Sequence, residues 1–474
     1  MCMRCWGDGC AGLRALMGAL IGRLREWHRP RQSEEVGSSR FPETSIVSGA
    51  NEQQGPKVQL KTILNQCHRF KSFVYGTILF GDDMATIHVA VVPRKGSKAI
   101  CSGCDRPGPT YDTAKVARGF AFVPLWGFAV WLWYCMRRVD CGRCGVTVEK
   151  VPWAEGKNAT CNAYRLFLAR WARRLSWSEV ARIFQTNWGV VYRAIRWVVD
   201  YGLAHRVLDG VEAIGVDEIA VWKGHKYLTV VYQIDQGARR LLWVGKERTE
   251  ESFREFFTMF GTARTQALRF VASDMWKPYL KVIADLASQA VHVLDRFHIV
   301  AKMNKAVDEV RATEARELVR QGYQAILKHT RWCFLKHPRN LTGGQRAKLA
   351  DVLRYNLRSV RAYLLKEALH GFWVYTDPFL AGWFLDKWCT RALRSRLDPI
   401  KKVARTLQSH RDLILNWFIA KKQISAAAVE GMNTNAKLAL RKARGFRTYE
   451  VLETALYHEL GHLPEPISVT HRFC

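Results

Sequence analysis

Ala213-Ile214-Gly215-Val216-Asp217-Glu218-Ile219-Ala220-Val221 is apolar throughout except for two acids at its centre. The β-branched residues and the absence of a helical period read as a buried strand over 211–219. A carboxylate in such a strand is costly unless a positive group or hydrogen bonds compensate it. Asp217 and Glu218 are neighbours, so they point to opposite faces and only one can reach a common site; Asp217 is assigned to it. A second acid, Asp274, ends the apolar run Ala267-Leu268-Arg269-Phe270-Val271-Ala272-Ser273, and a third, Glu430, lies far downstream in Val429-Glu430-Gly431-Met432-Asn433. The chain has 474 residues and a formal charge of +31. Acids held in the core of so basic a protein point to divalent metal working on nucleic-acid phosphate.

Outward from the opening stretch, further strands are expected over 226–234 and 239–244. A helix over 249–260 follows, with Phe253, Phe256, Phe257 and Phe260 on one side. A strand at 268–273, a helix at 277–286 and a strand at 290–294 complete the set. Three strands, a helix, a strand, a helix and a strand is the layout of an RNase H-like domain. The residues after Ile299 turn helical, basic and rich in tryptophan, which predicts a helical insertion. Trp332, Trp373, Trp383, Trp388 and Trp417 belong to it, most as core and a minority available to stack on bases. Glu430 then falls on a helix with Asn433 and Lys437 at i+3 and i+7 on its side. The cations Arg441, Lys442, Arg444 and Arg447 follow at once and are expected to contact DNA phosphates, with Asn433 and Lys437 as supporting or DNA-contacting groups.

Upstream, Cys101-x-x-Cys104 and Cys141-x-x-Cys144 have the spacing of two zinc knuckles, and four thiolates close a tetrahedral structural site. The long gap between them requires an extended hairpin, and Cys135 is a spare ligand. Residues 73–80 and 86–92 flank Gly81-Asp82-Asp83 in a hairpin pattern. From Asn162 the period is helical, with Tyr164, Phe167, Leu168 and Trp171 in register. Ser176-Trp177-Ser178-Glu179 reads as a capping box, and a third helix over 188–199 turns Val191, Ile195 and Val198 inward. Val190, Arg193, Arg196 and Trp197 are expected to face outward as DNA-contacting groups of a helix-turn-helix.

The domain plan is therefore 1–58 as a poorly ordered extension, 59–152 as hairpin and zinc ribbon, and 158–208 as helix-turn-helix. The catalytic core is expected at 209–300, the helical insertion at 301–424, and the core's C-terminal helix with Glu430 and the tail at 425–474. Cys2, Cys5 and Cys10 in the extension lack a fourth partner. Residues 13–24 are broken by Arg14 and Arg23 and make a poor signal peptide. Residues 120–136 contain Pro124 and Gly127 and are too short for a membrane span. A cytoplasmic, DNA-associated protein without membrane attachment is expected.

Gly215-Val216-Asp217-Glu218, Lys223-Gly224-His225-Lys226-Tyr227, Ser273-Asp274-Met275-Trp276-Lys277-Pro278-Tyr279, Asp295-Arg296-Phe297-His298 and Glu430-Gly431-Met432-Asn433, in this order, resemble the ISL3 family of bacterial insertion-sequence transposases. So do Lys402-Val403-Ala404-Arg405-Thr406 and Ala443-Arg444-Gly445-Phe446-Arg447; the resemblance runs from about residue 59 to Pro466. It implies a DDE triad of Asp217, Asp274 and Glu430 holding two Mg²⁺ (or Mn²⁺) ions, with structural zinc on the cysteines. Asp295 competes with Asp274 for the second place. Asp274 is preferred because it ends the strand expected beside the first, which leaves Asp295 and His298 as supporting or DNA-contacting groups. The implied reaction is cleavage at the terminal inverted repeats of an insertion sequence and strand transfer into target DNA, by a dimer or larger synaptic assembly. Two rivals stand beside it: a DNA-binding regulator without catalysis, and a zinc protease through His458-Glu459-Leu460-Gly461-His462, which fits HExxH, with His471 as a downstream ligand.

Overall fold

The computed structural model describes residues 59–222, 226–323, 325–420, 427–443, 446 and 448–466, apart from the side chains of Trp222, Lys226 and Ala427. The extension with Cys2, Cys5 and Cys10, the triplet Lys223-Gly224-His225, the cations Arg444 and Arg447, and His471 lie outside the described residues.

α1 (Leu60–Cys67) leads into a hairpin of β1 (Phe73–Phe80) and β2 (Thr86–Pro93). The short strands β3 (Ala99–Ile100), β4 (Pro107–Gly108) and β5 (Thr110–Thr113) surround the first cysteine pair. A long hairpin, β6 (Arg118–Leu125) and β7 (Phe128–Tyr134), follows, then β8 (Arg137–Cys141) and β9 (Gly145–Val148) around the second pair. The hairpin required between the knuckles is thus present. Its β7 lies parallel to β2, which gives a sheet of order β1-β2-β7-β6. Trp126 and Gly127 both have positive φ, 48° and 89°, the backbone of a tight two-residue turn, so the apolar run 120–136 doubles back instead of continuing. A buried ion pair, Arg137 Nη2 to Glu149 Oε2 at 2.8 Å, with Tyr134 on the same carboxylate, fastens the cysteine-bearing strands to this sheet.

Three helices come next: α2 (Asn162–Ala172), α3 (Trp177–Ile183) and α4 (Trp188–His205). Ser176 and Glu179 form the expected reciprocal cap, Gln185 turns the chain at φ 48°, and Asn187 caps α4 by accepting from the Val190 amide at 2.9 Å. Val180, Val191, Ala194, Ile195 and Val198 fill the space between the helices. α4 runs six residues beyond the expected 199 because its inward stripe continues through Gly202, where a Cβ would meet Leu463 at 2.5 Å.

The second large sheet contains β10 (Ala213–Trp222), β11 (Lys226–Asp235) and β12 (Ala238–Gly245) as an antiparallel meander. α5 (Glu250–Phe260) and α6 (Thr262–Gln266) lead to β13 (Phe270–Ser273), and α7 (Lys277–Leu286) to β14 (Val291–Leu294). β13 pairs parallel with β10, and β14 parallel with β13, for the order β12-β11-β10-β13-β14. The four phenylalanines of α5 are all buried against one face of this sheet, with Tyr279 of α7.

Beyond β14 the chain is helical: α8 (Arg296–Arg320), α9 (Arg331–Leu335), α10 (Gly343–Val352), α11 (Arg358–His370), α12 (Pro378–Leu393), α13 (Asp398–Ser409) and α14 (Arg411–Ile419). α14 is fixed to the sheet edge where the Asn416 amide donates to the His292 carbonyl oxygen at 2.8 Å. Trp373, Trp388 and Trp417 are buried in this layer, while Trp332 and Trp383 are exposed. α15 (Ala427–Lys442) then returns across β10, and α16 (Tyr449–Leu460) packs on α4 and β12. Among the described residues no helix is long and apolar enough to cross a membrane.

Candidate active site

Asp217 sits in the central strand of the five-stranded sheet, so nearly every direction around it is filled by protein. Burial pushes its carboxyl above the ordinary range. His298 opposes that rise, and the negative charges of Asp274 and Asp295 add to it. Its oxygens are held at both ends: Oδ1 accepts from the Glu218 backbone at 2.8 Å, and Oδ2 accepts from the Asn433 amide at 2.7 Å. Asn433 in turn accepts from the Tyr232 hydroxyl at 2.8 Å.

Asp274 immediately follows β13, the strand directly beside β10, and Asp295 immediately follows β14, one place further out. Asp274 accepts from the Trp276 amide at 2.8 Å. Asp295 caps α8 by accepting from the Phe297 amide at 2.7 Å and pairs with His298 Nδ1 at 2.8 Å. That hydrogen bond, against a desolvation cost and with help from the other acids, raises His298 to about 9, so it is a cation at neutral pH. Glu218, on the opposite face of β10, is raised to about 7 by burial and by the charge of Asp274.

Glu430 is exposed on the first turn of α15. Its helix is pressed onto β10: a Cβ on Gly215 would lie 2.4 Å from Val429 Cγ2, so glycine is what permits the approach. Glu430 stands one helical turn, about 4.5 Å of rise, before Asn433, whose amide touches Asp217. The expected face of Glu430, Asn433 and Lys437 is split. Asn433 is buried and used by Asp217 and Tyr232, while Glu430 and Lys437 are exposed. Gly215→Ala should lift α15 from the sheet and lengthen the Asn433–Asp217 contact. A stability loss of about 1–3 kcal/mol in denaturant unfolding is expected; an unchanged midpoint would mean that the approach is not tight.

Among the described residues, Asp217 feels the charges of Asp274, Asp295 and His298, and Arg248 lies in ion-pair range of Glu218 and Asp274; acids grouped in this way suit a divalent ion. The carboxylates are not closed into a chelate. Among the described residues, one group of three or more Cys, His, Asp or Glu converges at metal-ligand range: Cys101, Cys104, Cys141 and Cys144, with ligand atoms all within 4.8 Å of one another. Cys135 is outside it. The Cys101 thiol is lowered to about 6, chiefly by Thr147 and the Gly103 amide, which favours the thiolate that binds metal.

Several expected contacts are corrected. Lys442 does not point to solvent as a DNA contact. Half-buried, it donates to the carbonyl oxygens of Ala172 and Arg173 at 3.0 and 2.8 Å, satisfying acceptors left open at the C-terminus of α2. Trp197 and Val190 are half-buried and pack against the core. The Trp197 indole donates to Glu155 at 2.9 Å and carries Arg165 on its ring, so the outward face of α4 narrows to Arg193 and Arg196. Arg196 itself lies within ion-pair range of Asp200 and Glu450. Arg441 is exposed. The HExxH pair is not formed: α16 ends at Leu460, His462 is exposed with φ 45°, and His458 is buried and lowered to about 3. The two rings do not share a helical face.

Arg248 and Tyr232 carry no site signal in the sequence, and Glu218, set aside because it faces away from Asp217, lies in ion-pair range of the arginine that also approaches Asp274. Arg248 sits three residues past β12, in the connection to α5, and only the tertiary fold brings that loop to Asp274. Its pairing with an acid on β10 leaves no local pattern.

A transposase family profile matches residues 214–456, from β10 to α16 and a little over half of the chain. The transposase of insertion sequence element IS1001 of Bordetella parapertussis is 29% identical over 332 residues, covering 69% of this chain and 80% of that protein. The transposase of IS1557 of Mycobacterium tuberculosis is 29% identical over 412 residues, covering 81% and 90%. The matched span contains Asp217, Asp274, Asp295 and Glu430 together with the sheet and helix that carry them, and on that match the chain belongs to the ISL3 family of DDE transposases.

Proposed function

We propose that this protein binds the terminal inverted repeats of an insertion sequence and catalyses Mg²⁺-dependent strand cleavage and strand transfer, with Asp217, Asp274 and Glu430 as metal ligands. The observation that carries the reading is the position of Asp217. It is a desolvated acid on the central strand, under the field of Asp274 and clasped by the helix that bears Glu430. The strand order β12-β11-β10-β13-β14, with an antiparallel meander and two parallel strands, fits an RNase H-like core. Residues 162–205 fit a helix-turn-helix, and the four cysteines fit a zinc ribbon.

Divalent ions bound by these acids supply activation of the attacking water or 3′-hydroxyl and neutralise charge that builds on the phosphate. The protein's own groups orient the acids. Asn433 and the Glu218 amide fix both oxygens of Asp217, the Trp276 amide fixes Asp274, and His298, paired with Asp295, adds a positive charge among the acids. No covalent protein nucleophile is required. Arg193 and Arg441, exposed and basic, suit phosphate contacts. Affinity should then fall steeply with salt. Two element ends must meet, which calls for a dimer or larger assembly on DNA, in the cytoplasm of a bacterium.

The test is incubation of the full chain with repeat-ended duplex and Mg²⁺. Nicks at the element ends are expected. Binding that persists without any nick in Mg²⁺ or Mn²⁺ would overturn catalysis in favour of a DNA-binding regulator.

A further inference from the structure

Arg248 Nε lies 2.6 Å from Glu218 Oε1, and its Nη2 lies 3.6 Å from Asp274 Oδ2. The guanidinium rests on the face of Trp276, 4.4 Å from the ring centroid, and the amide of that same residue is the donor to Asp274. One residue therefore seats both the cation and the acid. The Arg248–Glu218 contact is close but not aligned as a hydrogen bond: Nε and Oε1 are buried and neither has a hydrogen-bond partner among the described residues. Charge and stacking hold the guanidinium, so it can be displaced without breaking a directed bond there. About a third of its side chain is exposed, which leaves it a route toward solvent.

We propose that Arg248 is a built-in counter-cation of the acidic cluster, which competes with a divalent ion for Asp274 and yields when the ion binds. The inference rests on the metal-site reading above and adds a positioning residue to it. An arginine keeps its charge at every accessible pH, so it shields Asp274 whenever no ion is present. A divalent ion approaching Asp274 meets a like charge a few ångströms away, and that repulsion lowers its affinity.

The experiment measures Mn²⁺ uptake by the full, zinc-loaded chain without DNA, read as the loss of the free-ion electron spin resonance signal. Arg248→Gln is expected to tighten Mn²⁺ binding about tenfold, equivalent to about 1.4 kcal/mol. Arg248→Lys, which keeps the charge, should stay near the unmodified protein. Arg248→Met retains aliphatic packing on Trp276 and should give the same gain should the glutamine variant fail to fold. Adding Asp274→Asn to either neutral variant should abolish the gain. Damage to the fold lowers affinity, so a rise separates competition from a structural role. Neutral variants that bind Mn²⁺ no better than the unmodified protein overturn the proposal and leave the metal site standing. Absence of any Mn²⁺ uptake by all forms, with zinc retained, overturns both.

Discussion

Asp217→Asn is expected to lower strand cleavage by about a thousandfold and, in the same molecule, to raise thermal stability. The first half follows from the proposed role. A ligand whose loss removes roughly 4 kcal/mol of transition-state stabilisation costs three powers of ten in rate. The second half follows from burial. The folded protein holds the Asp217 carboxyl above its ordinary value, so its charged form is disfavoured relative to the unfolded chain. An acid shifted upward subtracts stability at neutral pH, and that loss is recovered as pH falls through the folded value. Asparagine is neutral throughout; its single oxygen can keep the bond from the Asn433 amide but not also the one from the Glu218 backbone, a loss that offsets part of the gain. The metal-free variant should therefore melt higher at pH 7, and the difference should shrink toward acid pH. Cleavage on repeat-ended DNA and thermal melts at two pH values check both halves. A variant that loses activity and melts lower would mean that the charge of Asp217 is compensated in the fold.

Cys141→Ser should have the largest effect on folding. The compact core beneath the cysteines consists of Ala99, Cys101, Val139 and Cys141, so two of its four members are themselves prospective ligands. So small a core cannot order β3, β4, β5, β8 and β9 without a cross-link. Zinc sites of this kind contribute about 10–16 kcal/mol in isolated finger peptides. One zinc per chain is expected for the unmodified protein and none for the variant. Fast amide exchange should be confined to residues 99–113 and 137–149, with the sheet of β1, β2, β6 and β7 still protected. A variant that retains one zinc would point to a replacement ligand, with Cys135 the first candidate.

Strand positions were legible where β-branched and aromatic runs flank a turn signal, as at 73–80 and 86–92 around Gly81-Asp82-Asp83, whereas the parallel pairing of β7 with β2 leaves no local pattern. The helix over 277–286 has the limits that its apolar period predicts, and the cap at Ser176 was readable from four residues. The exit of α4 was not, since what prolongs it is Leu463, some 260 residues away. Lys442 shows the same limit. A cation after a helix bearing an acid reads as a phosphate contact, and nothing local reveals that two carbonyl oxygens of α2 claim it. Trp197 shows it too, because the spacing of α4 gives its outer face but not that Glu155, from the loop before α2, reaches over to take the indole. Asp217 was found because a charge inside an apolar strand is conspicuous in one dimension. Arg248, which approaches Asp274 and Glu218, belongs to an ordinary polar loop.

α15 is 16 residues long, a rod of about 24 Å. At its middle Asn433 grips the acid in the central strand, and at its far end Lys442 is pinned to the last turn of α2. A stiff rod fixed at two points cannot be shifted at one without loading the other. A duplex that tilts α2 on docking would thus tug at the Asp217 carboxylate before any phosphate arrives there, so recognition and readiness to cut would share one lever.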